Sequence, residues 1–302
     1  MEDSSIKSKS DRNYQIVIIV ILTIVALCAI LPFLLLLSSS FTDESTLIRE
    51  GYAFIPRKFS AYAYEYLFSS NGTRILRSYG ITLFVTFVGT AISILVGPML
   101  GWVLSRNDYK RGRIFSFLVI FTTLFNGGIV PSYIMWTQYF HVKNTIWALL
   151  FPTLLFNGFY IILYKNNFKS NIHPALVEAA KIDGAGELYI YFKIVMPLSL
   201  PILAAVGLMV ALGYWNDWTN GLYYISETKL YSLQQFLKSI IDNISALSSM
   251  ANSADAAAAV SKMPGSSIRM AMAVVGVLPI MIIYPFFQKA FIAGISLGGV
   301  KE

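Results

Sequence analysis

The chain has 302 residues, 56% hydrophobic and only 13% charged, with a net charge of +7 and a mean hydropathy of +0.62. A soluble domain carries about 25% charged residues, so this composition excludes a disordered chain, a nucleic-acid binder and a disulfide-stapled secreted domain. It points to a protein whose solvent is largely lipid. The excess of Lys and Arg has a plain source in the flanks of membrane spans. The single cysteine, Cys28, rules out an intrachain disulfide, and two scattered histidines beside it cannot make an ordinary zinc site.

In chain order, Lys7, Lys9 and Arg12 precede the apolar run Ile16–Leu37. That run exceeds the ~7–15 residues of a signal-peptide core and has no small-residue cleavage site after it, so it reads as a retained span. Crossing ~30 Å of hydrocarbon at ~1.5 Å per residue takes about 20 apolar residues. Six stretches qualify: Tyr14–Leu37, Tyr79–Leu104, Ile114–Tyr139, Thr145–Tyr164, Leu198–Trp215 and Met270–Phe287. The expected fold is all-α and polytopic, with a tail over 1–13 and a single transmembrane domain over 14–302. Lys and Arg are denser in the segments that lie inside when the N-terminus is inside. The short turn with Arg106, Lys110, Arg111 and Arg113 is the best anchor. Both termini are therefore expected on the cytoplasmic side.

The third stretch is interrupted by Asn126-Gly127-Gly128, with Pro131 following. Such breaks free backbone groups that protein or a water-filled cavity must satisfy; a simple kinked helix is the competing reading. Two long connections are expected outside, Ser38–Ser78 and Gly221–Arg269, the second with an Ala/Ser-rich middle over Ser245–Ser261.

The inside connection 165–197 carries the clearest signal. It reads His173-Pro174-Ala175-Leu176-Val177-Glu178-Ala179-Ala180-Lys181-Ile182-Asp183-Gly184-Ala185-Gly186-Glu187 and runs on to Ile194-Val195-Met196-Pro197. Pro174 suits a first helical turn, and Gly184 suits the residue after a helix end, where φ turns positive. A short surface helix over Pro174–Asp183 follows, and its two alanines would let another protein approach closely. After the turn, a second helix should run to Pro197 and into the fifth span.

This run resembles the cytoplasmic EAA motif of binding-protein-dependent ABC importer permeases. The matching residues are Glu178, Ala179, Ala180, Gly184, Ile194 and Pro197; Met196 stands where leucine is usual. The resemblance extends from about Tyr14 to the C-terminus. It is greatest to the carbohydrate subgroup, similar to the smaller permease of the maltose transporter. Asn126–Tyr133, Ile182–Ala185 and the tail Gly298–Lys301 look like an oligosaccharide branch, although Glu302 replaces the usual terminal glycine. The resemblance implies a type I importer-permease fold in a bacterial plasma or inner membrane. It implies a second homologous permease, two cytoplasmic ATPase subunits and a solute-binding protein outside. ATP and Mg would sit on the ATPases, with no cofactor on this chain. Glu178, Ala179, Ala180, Asp183, Gly184 and Pro197 would be the coupling residues.

Tyr214-Trp215-Asn216-Asp217-Trp218 closes the fifth span. Aromatic rings stack on sugar C–H faces while Asn and Asp bind hydroxyls, and the family has a Trp-Asn pair here. With Asn126, these residues are candidates for the substrate pathway; an interfacial aromatic belt is the competing reading. Gly294–Gly298 spells Gly-x-Ser-x-Gly but lacks the elbow, histidine and acid that a hydrolase needs. No phosphate loop occurs, so any ATP belongs to another chain. The expectation is a transport subunit and not an enzyme. The alternative is a stand-alone secondary transporter, which would want mid-membrane carboxylates, and only Asp217 comes near.

Overall fold

The computed structural model describes residues 9–152, 154–249 and 265–298. Most of Ser245–Ser261 and nearly all of the tail Gly298–Glu302 lie outside them. Among the described residues regular structure is helical, apart from one isolated antiparallel bridge between Thr42 and Phe59. The helices are α1 (Lys9–Ser40), α2 (Glu44–Glu50), α3 (Tyr62–Ser105), α4 (Gly112–Leu124), α5 (Ile129–Ile134), α6 (Trp147–Leu150), α7 (Gly158–Asn171), α8 (Pro174–Ile182), α9 (Glu187–Ile190), α10 (Met196–Leu198), α11 (Leu200–Trp215), α12 (Thr219–Tyr224), α13 (Leu233–Ser249) and α14 (Ser266–Gly298).

Among the described residues three helices are long and apolar enough to cross a membrane, over Asn13–Ser40, Asn71–Ser105 and Ser266–Ile283. They correspond to the first, second and sixth expected spans. The third is bent in two, and the helix expected to run through Pro197 into the fifth breaks at its entry instead. Gly112–Leu124 and Ile129–Tyr139 meet at 111°. Gly128 holds the corner at φ +87°, a conformation few residues but glycine adopt. Pro131 falls in the first turn of α5, where its missing N–H is not needed. Glu187–Leu198 and Leu200–Trp215 meet at 82°. Pro201 has no N–H to offer the Pro197 carbonyl, so the helix gives way at Ser199. The fourth stretch, Thr145–Tyr164, is not the single helix expected. Pro152 ends α6, and α7 starts afresh at Gly158 under Asn157, whose Oδ1 accepts from the Phe159 N–H at 2.9 Å. It continues past Tyr164 to Asn171.

By internal contacts the chain forms two compact units. The first comprises residues 1–72 and 243–277. In it Phe41 stacks on Phe59 and Tyr64, and Asp43 caps α2. The Glu44 carboxylate accepts the first N–H groups of α14, from Ser266 and Ser267, at 2.8 Å each. A carboxylate there meets both the unpaired N–H groups and the positive end of the helix dipole. The apolar window of α1 is wholly exposed.

The second unit comprises residues 73–242 and 278–302. Its core gathers Trp102, Tyr164, Phe168, Val177, Ile190, Tyr191, Val206 and Tyr214. Between membrane helices close backbone approach replaces much of the hydrophobic drive. A Cβ at Gly101 would stand 2.6 Å from the Tyr164 Cβ, where α3 meets α7. One at Gly158 would stand 2.5 Å from the Thr123 hydroxyl, where α7 meets α4. Lys165 Nζ donates to Ser116 Oγ at 2.8 Å and ties α7 to α4 a second time.

Candidate functional site

The residues singled out at 174–197 form an elbow made by α8 and α9. Pro174 occupies the first turn of α8, and His173 Nδ1 accepts from the Ala175 N–H at 3.3 Å. The apolar residues recur at helical spacing, so one face turns inward: Val177 and Ala180 are buried in the core. Ala175, Leu176, Glu178, Ala179, Ile182 and Asp183 face outward. This corrects the expectation that both alanines offer themselves to a partner. Ala179 is exposed; Ala180 packs against the chain's own core, because one helical step carries it round to the Val177 side. Ile182 remains 87% exposed at the tip, an unusual place for a large aliphatic side chain.

Asp183 caps the helix and Gly184 follows at φ +79°. The Gly184 N–H donates to Lys181 O at 3.0 Å and the Ala185 N–H to Ala180 O at 2.9 Å. This double closure is the Schellman arrangement, and it needs a left-handed residue at its centre. The chain then turns into α9, passes through a π-helical turn over Tyr191–Val195, and reaches Pro197, which is exposed two residues before the break. Ile194 packs against the core.

Four charges form a ring at the elbow, Arg106 and Asp108 from the turn after α3 and Lys181 and Glu187 from the run itself. The Arg106 guanidinium donates to Asp108 and Glu187 together and lies over the Trp102 ring, 5.8 Å from its centre. Lys181 lies 3.1 Å from Glu187 and 3.6 Å from Asp108. The hydrogen bonds from Arg106 hold the Asp108 carboxyl below its usual range. Burial pushes the Glu187 carboxyl up, but the hydrogen bonds from Lys181 and Arg106 prevail and hold it low. No sequence motif marks this ring, since its members come from two distant turns.

The substrate-pathway candidates have separate local partners. Asn126 Oδ1 accepts from the Gly128 N–H at 2.9 Å, shaping the corner between α4 and α5. Tyr214 is buried, donates its hydroxyl to Leu150 O at 2.8 Å, and lies so close to α3 that a Cβ at Gly89 would be 2.3 Å from its ring. Trp215 is buried and tilts against Tyr79, ring centres 6.4 Å apart. Asn216 donates back to Leu212 O at 2.9 Å. Asp217 Oδ1 accepts from the Thr219 and Asn220 N–H groups at 3.0 and 3.1 Å, capping α12. Trp218 is partly exposed and takes Lys238 Nζ over its ring at 5.1 Å. Gly294–Gly298 lies inside α14, not on a strand-to-helix elbow.

Residues 76–297 match the family described as binding-protein-dependent transport system inner membrane component. The chain belongs to this family. The match begins inside α3, leaves α1 and α2 out, and takes in the whole elbow. Among curated proteins the chain is 36% identical to the polygalacturonan/rhamnogalacturonan transport system permease protein YtcP of Bacillus subtilis, across 96% of this chain and 99% of that one. It is 34% identical to the protein LplC of the same organism, across 97% of both. It is 28% identical to the arabinooligosaccharides transport system permease protein AraQ of Halalkalibacterium halodurans, across 92% and 93%. Among solved structures, a chain of a bacterial ABC transporter involved in the import of the acidic polysaccharide alginate superposes with a TM-score of 0.75. The two are 29% identical, and the match covers 95% of this chain and 100% of that one. This binding-protein-dependent permease is thus a multi-pass membrane protein of an ABC importer, a transport subunit and not an enzyme. That assignment displaces the stand-alone secondary transporter.

Proposed function

We propose that the chain is one half of the translocation pathway of an oligosaccharide importer, paired with a second, homologous permease. Residues 14–302 act as one transmembrane domain with six crossings and both termini in the cytoplasm. Two cytoplasmic ATPase subunits hold ATP and Mg and receive α8 in a cleft. The face with Glu178 and Ala179 makes the contact; Ala180, Gly184 and Pro197 shape the elbow behind it. A solute-binding protein outside delivers the sugar beside the connection 221–269. ATP binding closes the ATPases, the coupling helices rock the permeases outward-facing, and hydrolysis resets them. Asn126 and Asn216–Trp218 border the sugar's path, with Tyr214 and Trp215 buried behind them and the partly exposed Trp218 ring offered for stacking beside Lys238.

The observation that carries this reading is the form of α8. It is a short helix, capped at both ends, with one face in the core and the other exposing Glu178, Ala179 and Ile182. The carbohydrate class is supported by the printed names of YtcP and AraQ and by the alginate importer. The test is purification from the native membrane in mild detergent, with mass spectrometry of what accompanies the chain. Recovery of an ATPase, a second permease and a binding protein is expected. The binding protein, screened against neutral and uronic-acid oligosaccharides, then names the cargo. Recovery of the chain alone, where other membrane complexes survive, overturns the reading.

A further inference from the structure

We propose that Arg106 is a positioning residue for coupling. It locks the α8–α9 elbow to the end of α3, so that a displacement of α8 reaches the membrane helices as one rigid motion. The inference rests on the reading of α8 as the ATPase-docking helix.

The apolar contacts of α8, through Val177 and Ala180, leave part of its border with α3 open. A cavity of about 250 Å³ lies between α3, α7 and α8, lined by Trp102, Arg106, Phe168, Val177, Glu178 and Lys181 among others. A second, of about 320 Å³, lies between α3 and α9, beside Trp102, Arg106, Glu187 and Tyr191. Trp102 and Arg106 line both. Beside their buried core contacts, the elbow and α3 border two open clefts, and the charged ring lies at both.

The ring is closed and alternates in sign: Arg106 to Asp108, Asp108 to Lys181, Lys181 to Glu187, Glu187 back to Arg106. Lys181 is in the last turn of α8 and Glu187 in the first turn of α9, so their pair braces the turn at Gly184 where the two helices would otherwise hinge. Arg106 follows directly on Ser105, the last residue of α3. Its side chain is only 14% exposed, whereas Asp108 and Glu187 are 59% and 57% exposed. Pairs that wet contribute little to stability. Their geometry is another matter. Two nitrogens of the guanidinium fork serve Asp108 while the third serves Glu187, which fixes direction in a way that sliding apolar contacts do not. A lysine at this position would offer a point charge in place of the fork and would not fix that direction. The ring thus contributes position more than stability.

The test uses the intact importer reconstituted in vesicles, with transport and ATP hydrolysis measured together. Arg106→Gln and Glu187→Gln are each expected to assemble with the ATPase and to lower transport per ATP by about tenfold. Arg106→Lys should fall between wild type and Arg106→Gln, and the double variant should be no worse than Arg106→Gln. Unchanged transport per ATP in Arg106→Gln overturns the inference, as do losses that multiply in the double variant. If Arg106→Gln fails to assemble, Glu187→Gln and Arg106→Lys carry the same comparison. A wild-type chain that binds no ATPase overturns the parent reading; a coupled wild type with equally coupled variants overturns only this one.

Discussion

The α8–α9 elbow and the α11–α12 corner both hold residues that the sequence marks as functional, yet they are built in opposite ways. In the elbow, the marked residues make their structure with near neighbours. His173 caps its own helix, and Gly184 closes it through Lys181 and Ala180. At the corner, Tyr214 and Trp215 are held by α3 and α6: Gly89 lies under the Tyr214 ring, Leu150 O takes its hydroxyl, and Tyr79 meets Trp215. Local geometry makes an element that can move as a unit. Long-range packing makes one that can move only if its neighbours do.

The largest effect expected from breaking this contrast is at the corner. Gly89→Ala drives a methyl into the Tyr214 ring and should destabilise the chain by about 3 kcal/mol, near the upper end for overpacking. Thermal unfolding in detergent checks it, and a variant as stable as wild type would mean that the corner is not held by α3. In the elbow, a Cβ at Gly184 would meet no atom within 4 Å, so the cost of Gly184→Leu begins with backbone strain, about 1–2 kcal/mol. Substrate-stimulated ATP hydrolysis should nonetheless fall about tenfold or more. Glu178→Lys, on the exposed face, should leave the melting temperature in place and lose the same stimulation. Stimulation that survives both changes would remove α8 from the coupling role.

Asp217 separates two readings of the corner. Asp217→Ala should cost about 1 kcal/mol as a lost cap, while Asp217→Asn keeps the cap and should be nearly as stable as wild type. If Asp217→Asn transports normally, the carboxylate serves as a cap; a transport loss at full stability would place it on the sugar's path. The smallest effect is electrostatic. Asp108 and Glu187 are held below their usual values of 3.8 and 4.5. Their stabilising contribution is therefore complete above those values and is lost as pH falls below them toward the lowered folded-state values. Both carboxylates are half-exposed, so the loss should stay below about 1 kcal/mol. Hydrogen-exchange protection factors at 183–186 should fall as these carboxylates are protonated in acid, without global unfolding; an elbow equally protected at acid pH would mean that the ring does not brace it.

Membrane class, family and the short helix α8 were legible in the residues because each has a local cause: apolar length, charge flanking, and the Pro174 and Gly184 signals at the ends of α8. The break at Gly128 was half legible, while that at Ser199 was missed, since a continuous helix was expected through Pro197. Glycine and proline announce where a helix gives way, but the 111° and 82° bends depend on what the two arms pack against. The fourth stretch was misread as continuous because hydropathy counts apolar residues and ignores what Pro152 and Asn157 do to the backbone.

What the sequence determined by itself is therefore the set of structures closed within one turn of helix: the caps, the left-handed turn at Gly184, the apolar runs and the motif that places the chain in its family. The tertiary structure alone decided which alanine faces outward, that Tyr214 is buried against α3, and that Arg106 meets Glu187 across 81 residues of chain. The physical reason is the range of the interactions. A cap or turn joins atoms a few residues apart and can be read from spacing, whereas a packed ring or an ion pair joins segments whose meeting depends on every helix between them.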